Sequence, residues 1–236
     1  MASLQGDGGS IAPGVGPFPR LESVGFWAAL IAFLAAASYD VCQVLEVQGV
    51  FPLPWGGVAI YLTSLVIAVP FAVAVLTLHY LTPIEHRFWS GAALMFAIMY
   101  ATFATLNYVV QLTVTIPFEG SNTILNESPH TLFWTIDALA YILLGISMLF
   151  AYRLFWRPGI ERWARGFFLA NAAVTPLICV VYFYPVYTNS LLWIGSPWGI
   201  TAPGAVLTLA LYFHVRLRPV TTGGTDLPRP SVPSPR

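Results

Sequence analysis

The sequence predicts an all-α protein, a polytopic six-helix transmembrane bundle, and three observations lead there. Hydrophobic residues make up 57% of the chain and charged residues 8%, where a water-soluble domain carries about a quarter charged. Six apolar segments follow one another, each near the ~20 residues that cross a bilayer. All ten basic side chains are arginine, and six crossings place every one on the same side of the membrane. A mean hydropathy of +0.74 leaves too little polar surface to face water, so lipid and other helices must cover most of the chain.

The first 22 residues open with MASLQGDGGSIAPGVGPFPR, which is rich in Gly and Pro and lacks periodicity. They read as a disordered cytoplasmic tail, because the first apolar run starts too late for a signal peptide and has no basic region before it. Residues 218–236 read as a second such tail. Between them the domain 23–217 holds segments at about 23–45, 57–80, 88–116, 130–155, 164–184 and 197–216. Inside a bilayer each must satisfy its own backbone, which makes a helix the economical form.

Pro52 and Pro54 punctuate the first loop. Ser128-Pro129 and Ser196-Pro197 read as N-cap and first-turn proline, opening the fourth and sixth helices. Pro70, Pro176 and Pro203 fall inside helices two, five and six, where each removes a backbone bond and predicts a kink. The third segment is overlong and should tilt or project beyond the membrane.

Orientation follows from arginine. Arg20, Arg87, Arg153, Arg157, Arg162, Arg165, Arg216, Arg218, Arg229 and Arg236 share one side, whereas Glu46, Glu119 and Glu127 occupy the other with no base. The positive-inside rule makes that first side cytoplasmic, with both termini on it, in a plasma (inner) membrane. Zero net charge and the lack of a basic stripe exclude a nucleic-acid partner; the lipid bilayer is the partner implied. Cys42 and Cys179 form no CxxC and read as free, buried thiols.

Polar residues then acquire depth. Asp40, Gln43 and Glu46 lie toward the outer end of helix one, and Asn107 and Gln111 in the outer half of helix three. His130, Trp134, Asp137 and Tyr141 follow at i, i+4, i+7 and i+11 down helix four, which sets all four on one face. An ionised Asp facing lipid at a helix centre costs about 2.5–3.5 kcal/mol, so Asp137 should face the bundle. On helix three Ala93, Ala97, Ala101 and Thr105 form a small-residue ridge for close packing, and at 100° per residue Asn107 should point away from Thr105, on an opposed face.

The run Asn107-Tyr108-Val109-Val110-Gln111-Leu112-Thr113-Val114 with Pro117, then Pro129-His130 and Phe133-Trp134 before Asp137 and Tyr141, resembles a pattern in uncharacterised six-helix bacterial membrane proteins. Those proteins show NYxxQLTVxxP, then PHxxFW, then an acidic residue, a small residue and Tyr. The similarity is clearest over helices two to four, and Ala140 stands where they often have Gly. The resemblance implies the same topology and points to the same residues, with no activity attached.

Three readings follow. In the first, a non-enzymatic protein binds or transports a small or amphipathic molecule in an outer-leaflet pocket between helices one, three and four. Asp137 and Asp40 supply charge, Gln43, Asn107, Gln111 and His130 hydrogen bonds, and Trp134 and Tyr141 a flat wall. In the second, a structural or assembly subunit uses these groups only as interhelical glue, each contact worth about 0.6–2 kcal/mol. The third is an intramembrane enzyme. Ser147 and His214 superficially suggest a serine protease, but glycine or alanine after the serine and glycines after the histidine are missing, and small-residue packing accounts for Gly145-Ile146-Ser147. His79, His86, His214 and Glu85 lie near the cytoplasmic face without metal-ligand spacing, so no metal and no cofactor is expected. The sequon Asn126-Glu127-Ser128 precedes a proline close to the membrane and is discounted.

Overall fold

The computed structural model describes residues 20–51, 54–118 and 124–217. Most of both expected tails, and Glu119, lie outside the described residues. The elements are α1 (Leu21–Val47), α2 (Trp55–Leu81), α3 (Arg87–Val110) continued by a π-helical turn (Gln111–Thr115), α4 (Leu132–Ala151), α5 (Ile160–Phe183), a single turn α6 (Leu192–Gly195) and α7 (Trp198–Leu217). Six helices among the described residues are long and apolar enough to cross a membrane, and no strand occurs among them.

The helices close into a ring. Each long helix packs on its chain neighbour, α5 packs on α7, and α7 returns to α1. Lipid tails are as apolar as leucine, so such contacts are driven by close packing. The buried residues of α1 are Gly25, Ala28, Ala29, Ala32, Ala35 and Ala36, all small. A Cβ on Gly25 would stand 2.7 Å from Thr77 of α2 and 2.8 Å from the Phe213 ring of α7. The first helix thus seals the ring by having almost no side chain on its inner face. Between α4 and α5 the same device recurs, since a Cβ on Gly145 would collide with Thr175.

The third helix corrects one expectation. Its buried residues are Ser90, Ala93, Ala97, Tyr100, Ala104, Asn107 and Tyr108, followed by Gln111. Steps of three and four make one stripe, which keeps Ala93 and Ala97, takes Ala104 and Asn107, and leaves the expected Ala101 and Thr105 half-buried beside it. Met95, Ile98, Met99 and Leu106 are left exposed on the remaining faces. The overlong segment ends in a π turn, with the Ile116 amide donating to the Gln111 carbonyl five residues back at 3.0 Å.

Helix four starts later than 130. Pro129 and His130 form a turn, His130 takes φ 65, and Thr131 is the N-cap, accepting from the Trp134 amide at 3.4 Å. A left-handed residue cannot continue a helix backward, so the cap moves from Ser128 to Thr131. The α-helix ends at Ala151 and a 3-10 turn covers Tyr152–Leu154. Helix five starts earlier than 164, because Gly159 at φ 84 turns the chain and buried Glu161 accepts the amides of Trp156 (3.2 Å) and Arg157 (3.0 Å). Ser196 donates to the Trp193 carbonyl at 2.9 Å and does not cap α7, which begins at Trp198. Pro70, Pro176 and Pro203 lie inside α2, α5 and α7 as expected.

The ring has two distinct ends. At one, the arginine end, Arg153 lies 4.3 Å over the Trp89 ring, Arg216 lies 4.5 Å over Tyr212, and His79 meets Ser90 at 2.9 Å. The other, the tyrosine end, gathers Tyr39, Tyr61, Tyr108, Tyr141 and Tyr182 near the α3–α4 loop.

Candidate functional site

Asp137 stands in the second turn of α4 with 6% of its surface exposed. Its Oδ1 accepts the Tyr108 hydroxyl at 2.7 Å, and its Oδ2 accepts the Tyr182 hydroxyl. Both carboxylate oxygens are therefore met by donors from the flanking helices α3 and α5. Charge-assisted bonds of this kind are about twice as strong as neutral ones, and no arginine or lysine is needed to hold the group. Asn107, one residue before Tyr108, donates to the Phe133 carbonyl at 3.4 Å.

Tyrosines extend the cluster across the ring. Tyr39 of α1 and Tyr141 of α4 meet hydroxyl to hydroxyl at 3.3 Å. The Trp198 ring sits edge-on to both, at 5.5 Å from Tyr39 and 5.2 Å from Tyr141. Trp134 packs on Tyr182 at 4.7 Å and donates its indole N–H to the Tyr182 carbonyl at 3.0 Å. A buried Tyr or Trp ordinarily finds a partner for its polar tip, and here the tips mostly find each other.

The described residues 124–131 before α4 are pinned over this end. Gln111, 1% exposed, donates from Nε2 to the Leu125 carbonyl at 2.6 Å. Tyr61 of α2 donates to the Glu127 carboxylate. Glu127 as a whole residue is exposed, but its carboxyl turns inward to buried Tyr61, and that burial raises its pKa, with the Tyr61 bond opposing the rise. Tyr61 in turn stacks on Tyr108 at 6.0 Å.

The expected site residues thus separate into groups. Asn107, Asp137, Trp134 and Tyr141 share the tyrosine cluster. Gln111 is committed to the loop, and His130 is exposed in the turn before α4. Asp40 is half-buried against the start of α7, where a Cβ on Gly199 would lie 3.2 Å from its Oδ1, and Gln43 is half-buried farther along α1. Tyr108, Tyr182, Tyr61 and Trp198 were not among the expected site residues. The signal for them was the same as for Asp137: a polar tip at hydrocarbon depth.

Two small cavities lie inside the ring. The first is lined by Ser64, Tyr100, Tyr108, Ala140 and Tyr141, the second by Ala36, Phe71, Leu144, Met148, Ala202 and Val206. Ile67 and Trp198 line both, so the two adjoin. Each has room for about one water molecule. The first presents hydroxyls and the second only apolar side chains. Tyr141 alone of the expected site residues lines either one; Asp137 reaches the first cavity through Tyr108.

Ser147 and His214 do not pair as a protease dyad. Ser147 is fully buried and donates to the Ala93 carbonyl of α3 at 2.8 Å, while the His214 ring lies 5.5 Å from Phe26. Among the described residues no three His, Cys, Asp or Glu side chains converge as metal ligands. No family model, curated protein or solved structure matches the chain.

Proposed function

We propose that this multi-pass protein binds, and by opening at the tyrosine end transports, a small amphipathic molecule held inside its helix ring. The observation that carries the reading is the pair of adjoining cavities, polar toward the tyrosine end and apolar toward the arginine end. A molecule with a polar head and an alkyl chain matches that order of linings. Pockets for small molecules are commonly mostly apolar, with a few placed polar groups that fix orientation. Occupancy requires Trp198 and the Tyr39–Tyr141 contact to move, since the space in the closed ring is water-sized. The clustering of arginine supports a cytoplasmic arginine end with both termini there, in a bacterial inner membrane, and kinship with the NYxxQLTVxxP proteins belongs to the same proposal.

Cavity filling tests it. Ala202→Val narrows the apolar cavity, and it should weaken binding of a medium-chain alcohol to the purified protein while the thermal midpoint stays within a few degrees. Undiminished alcohol binding in that variant argues against the interior site.

A second reading has its own support. Gln111, Asn107 and Asp137 all find protein partners, which is what a structural or assembly subunit requires of its buried polar groups. Under that reading, substituting them breaks helix packing or a hetero-complex and leaves no ligand affinity to lose.

A further inference from the structure

Deep in the polar cavity two hydrogen-bonding groups have no partner. Among the described residues four buried side-chain atoms lack a hydrogen bond: Thr105 Oγ1 on α3, Thr115 Oγ1 in its π turn, Ser64 Oγ on α2 and Trp198 Nε1 on α7, the last two in residues 4% and 8% exposed. Both residues line the first cavity, beside the Tyr100 and Tyr141 rings. Buried polar atoms are nearly always satisfied, and exceptions call for an explanation. Elsewhere at this end the Tyr61, Tyr108 and Tyr182 hydroxyls, the Gln111 amide and the Trp134 indole reach acceptors. Of the four, Ser64 and Trp198 share one cavity, which neither threonine lines, so one ligand can explain that pair.

Their chemistry restricts that ligand. An indole N–H donates and cannot accept, and a serine hydroxyl does either. An ammonium head, which has only donors, leaves Trp198 unanswered. A carboxylate or phosphate head accepts, but the carboxylates near this end are Asp40, Glu46, Glu127 and Asp137, with no lysine in the chain and the described arginines at the opposite ends of their helices. An anion entering there meets acids and no arginine or lysine to neutralise its charge in a low-dielectric setting. Asp137 itself is already covered by Tyr108 and Tyr182.

We infer that the cavity between Ser64 and Trp198 takes the uncharged oxygen of an amphipathic molecule, a carbonyl or hydroxyl head whose alkyl chain enters the neighbouring apolar cavity. Trp198 Nε1–H and the Ser64 hydroxyl donate to that oxygen, and Met148, Leu144 and Val206 meet the chain. This rests on the interior binding proposed above and names the head group that such binding selects.

Four probes of one chain length separate the possibilities: 2-undecanone, undecylammonium, undecanoate and undecane, titrated against the full-length protein and counted by native mass spectrometry. The ketone should bind more tightly than the alkane, the ammonium and the carboxylate. Trp198→Phe keeps the ring and removes the donor; it should weaken the ketone about tenfold, a single hydrogen bond's worth, and leave the alkane unchanged. Should that variant fail to fold, Ser64→Ala provides the same comparison. A tighter fit for the ammonium or the carboxylate, or ketone affinity indifferent to both substitutions, overturns the head-group assignment while leaving interior binding intact. If none of the four probes binds, interior binding itself is wrong.

Discussion

The hydroxyls of Tyr39 and Tyr141 meet at 3.3 Å and join α1 to α4 through the middle of the ring. These helices are not ring neighbours, since α1 adjoins α2 and α7 whereas α4 adjoins α3 and α5. The contact therefore spans the space that a ligand entering from the tyrosine end must cross. Tyr39→Phe removes it at almost constant volume. A neutral hydrogen bond of this length contributes about 0.5–1.5 kcal/mol, so stability should fall by no more than that. Stopped-flow tryptophan fluorescence should then show faster association of a medium-chain alcohol; an unchanged rate would mean that the bridge does not obstruct entry.

Asp137 depends on its two tyrosine donors because no cation accompanies it. Tyr108→Phe leaves Oδ1 without the 2.7 Å bond and should cost about 1.5–3 kcal/mol, the range for bonds to a charged group. Asp137→Asn keeps the shape and an acceptor, so its cost should be smaller. Equilibrium unfolding in mixed micelles measures both, and a larger loss for Asp137→Asn would show that the ionic form is what organises the cluster.

The docked α3–α4 loop should respond to pH. Burial pushes the Glu127 carboxyl up and the Tyr61 hydroxyl only partly offsets this, so the docked loop holds a proton more tightly than an open, solvated one. Docking is then strongest below the ordinary carboxylate range and weakens as pH rises through the raised value. The ionisable neighbours on the packed elements are Glu46 and Tyr39 of α1, Tyr61 of α2, Asp137 of α4 and Tyr187 beyond α5, none of them basic. Hydrogen exchange over residues 124–131, corrected for intrinsic rates, should become faster with rising pH, and Glu127→Gln should flatten the trend. A trend that persists in Glu127→Gln assigns it to one of those neighbours or to His130 within the segment.

Two glycines on adjacent helices should behave oppositely. Gly145 faces Thr175 so closely that a Cβ cannot enter without displacing α5, whereas a Cβ on Gly166 meets nothing within 4 Å. Gly145→Ala should destabilise by about 1–3 kcal/mol through overpacking. Gly166→Ala should stabilise by up to ~1 kcal/mol through helix propensity. Thermal unfolding of the two variants side by side decides it.

Much of the architecture was legible in the sequence because bilayer thickness dictates segment length. The bounds of α1, α2 and α7 fall within about two residues of the hydropathy reading, inside the usual uncertainty of helix ends. The residue that caps α4 and the start of α5, four residues early, were not legible. His130 in a left-handed conformation and Glu161 turned back on two amides are local geometries that composition does not reveal. The separation of Asp40 from Asp137 was equally hidden, since it depends on α7 closing against α1. Depth along a helix can be counted from sequence; the neighbour that a side chain meets at that depth depends on how the ring closes. Tyr182 shows this best, reaching Asp137 from a helix that carried no motif.

Photo-crosslinking tests the interior site most directly. A medium-chain alcohol bearing a terminal diazirine, irradiated with the full-length protein and mapped by peptide mass spectrometry, should label Leu144, Met148, Ala202 or Val206, which line the apolar cavity. Excess unlabelled alcohol should suppress those adducts. Labels confined to ring-exterior residues such as Val69, Leu149 and Leu211, which are exposed, and indifferent to competitor, would contradict a ligand-holding ring and leave a bundle packed only for its own stability.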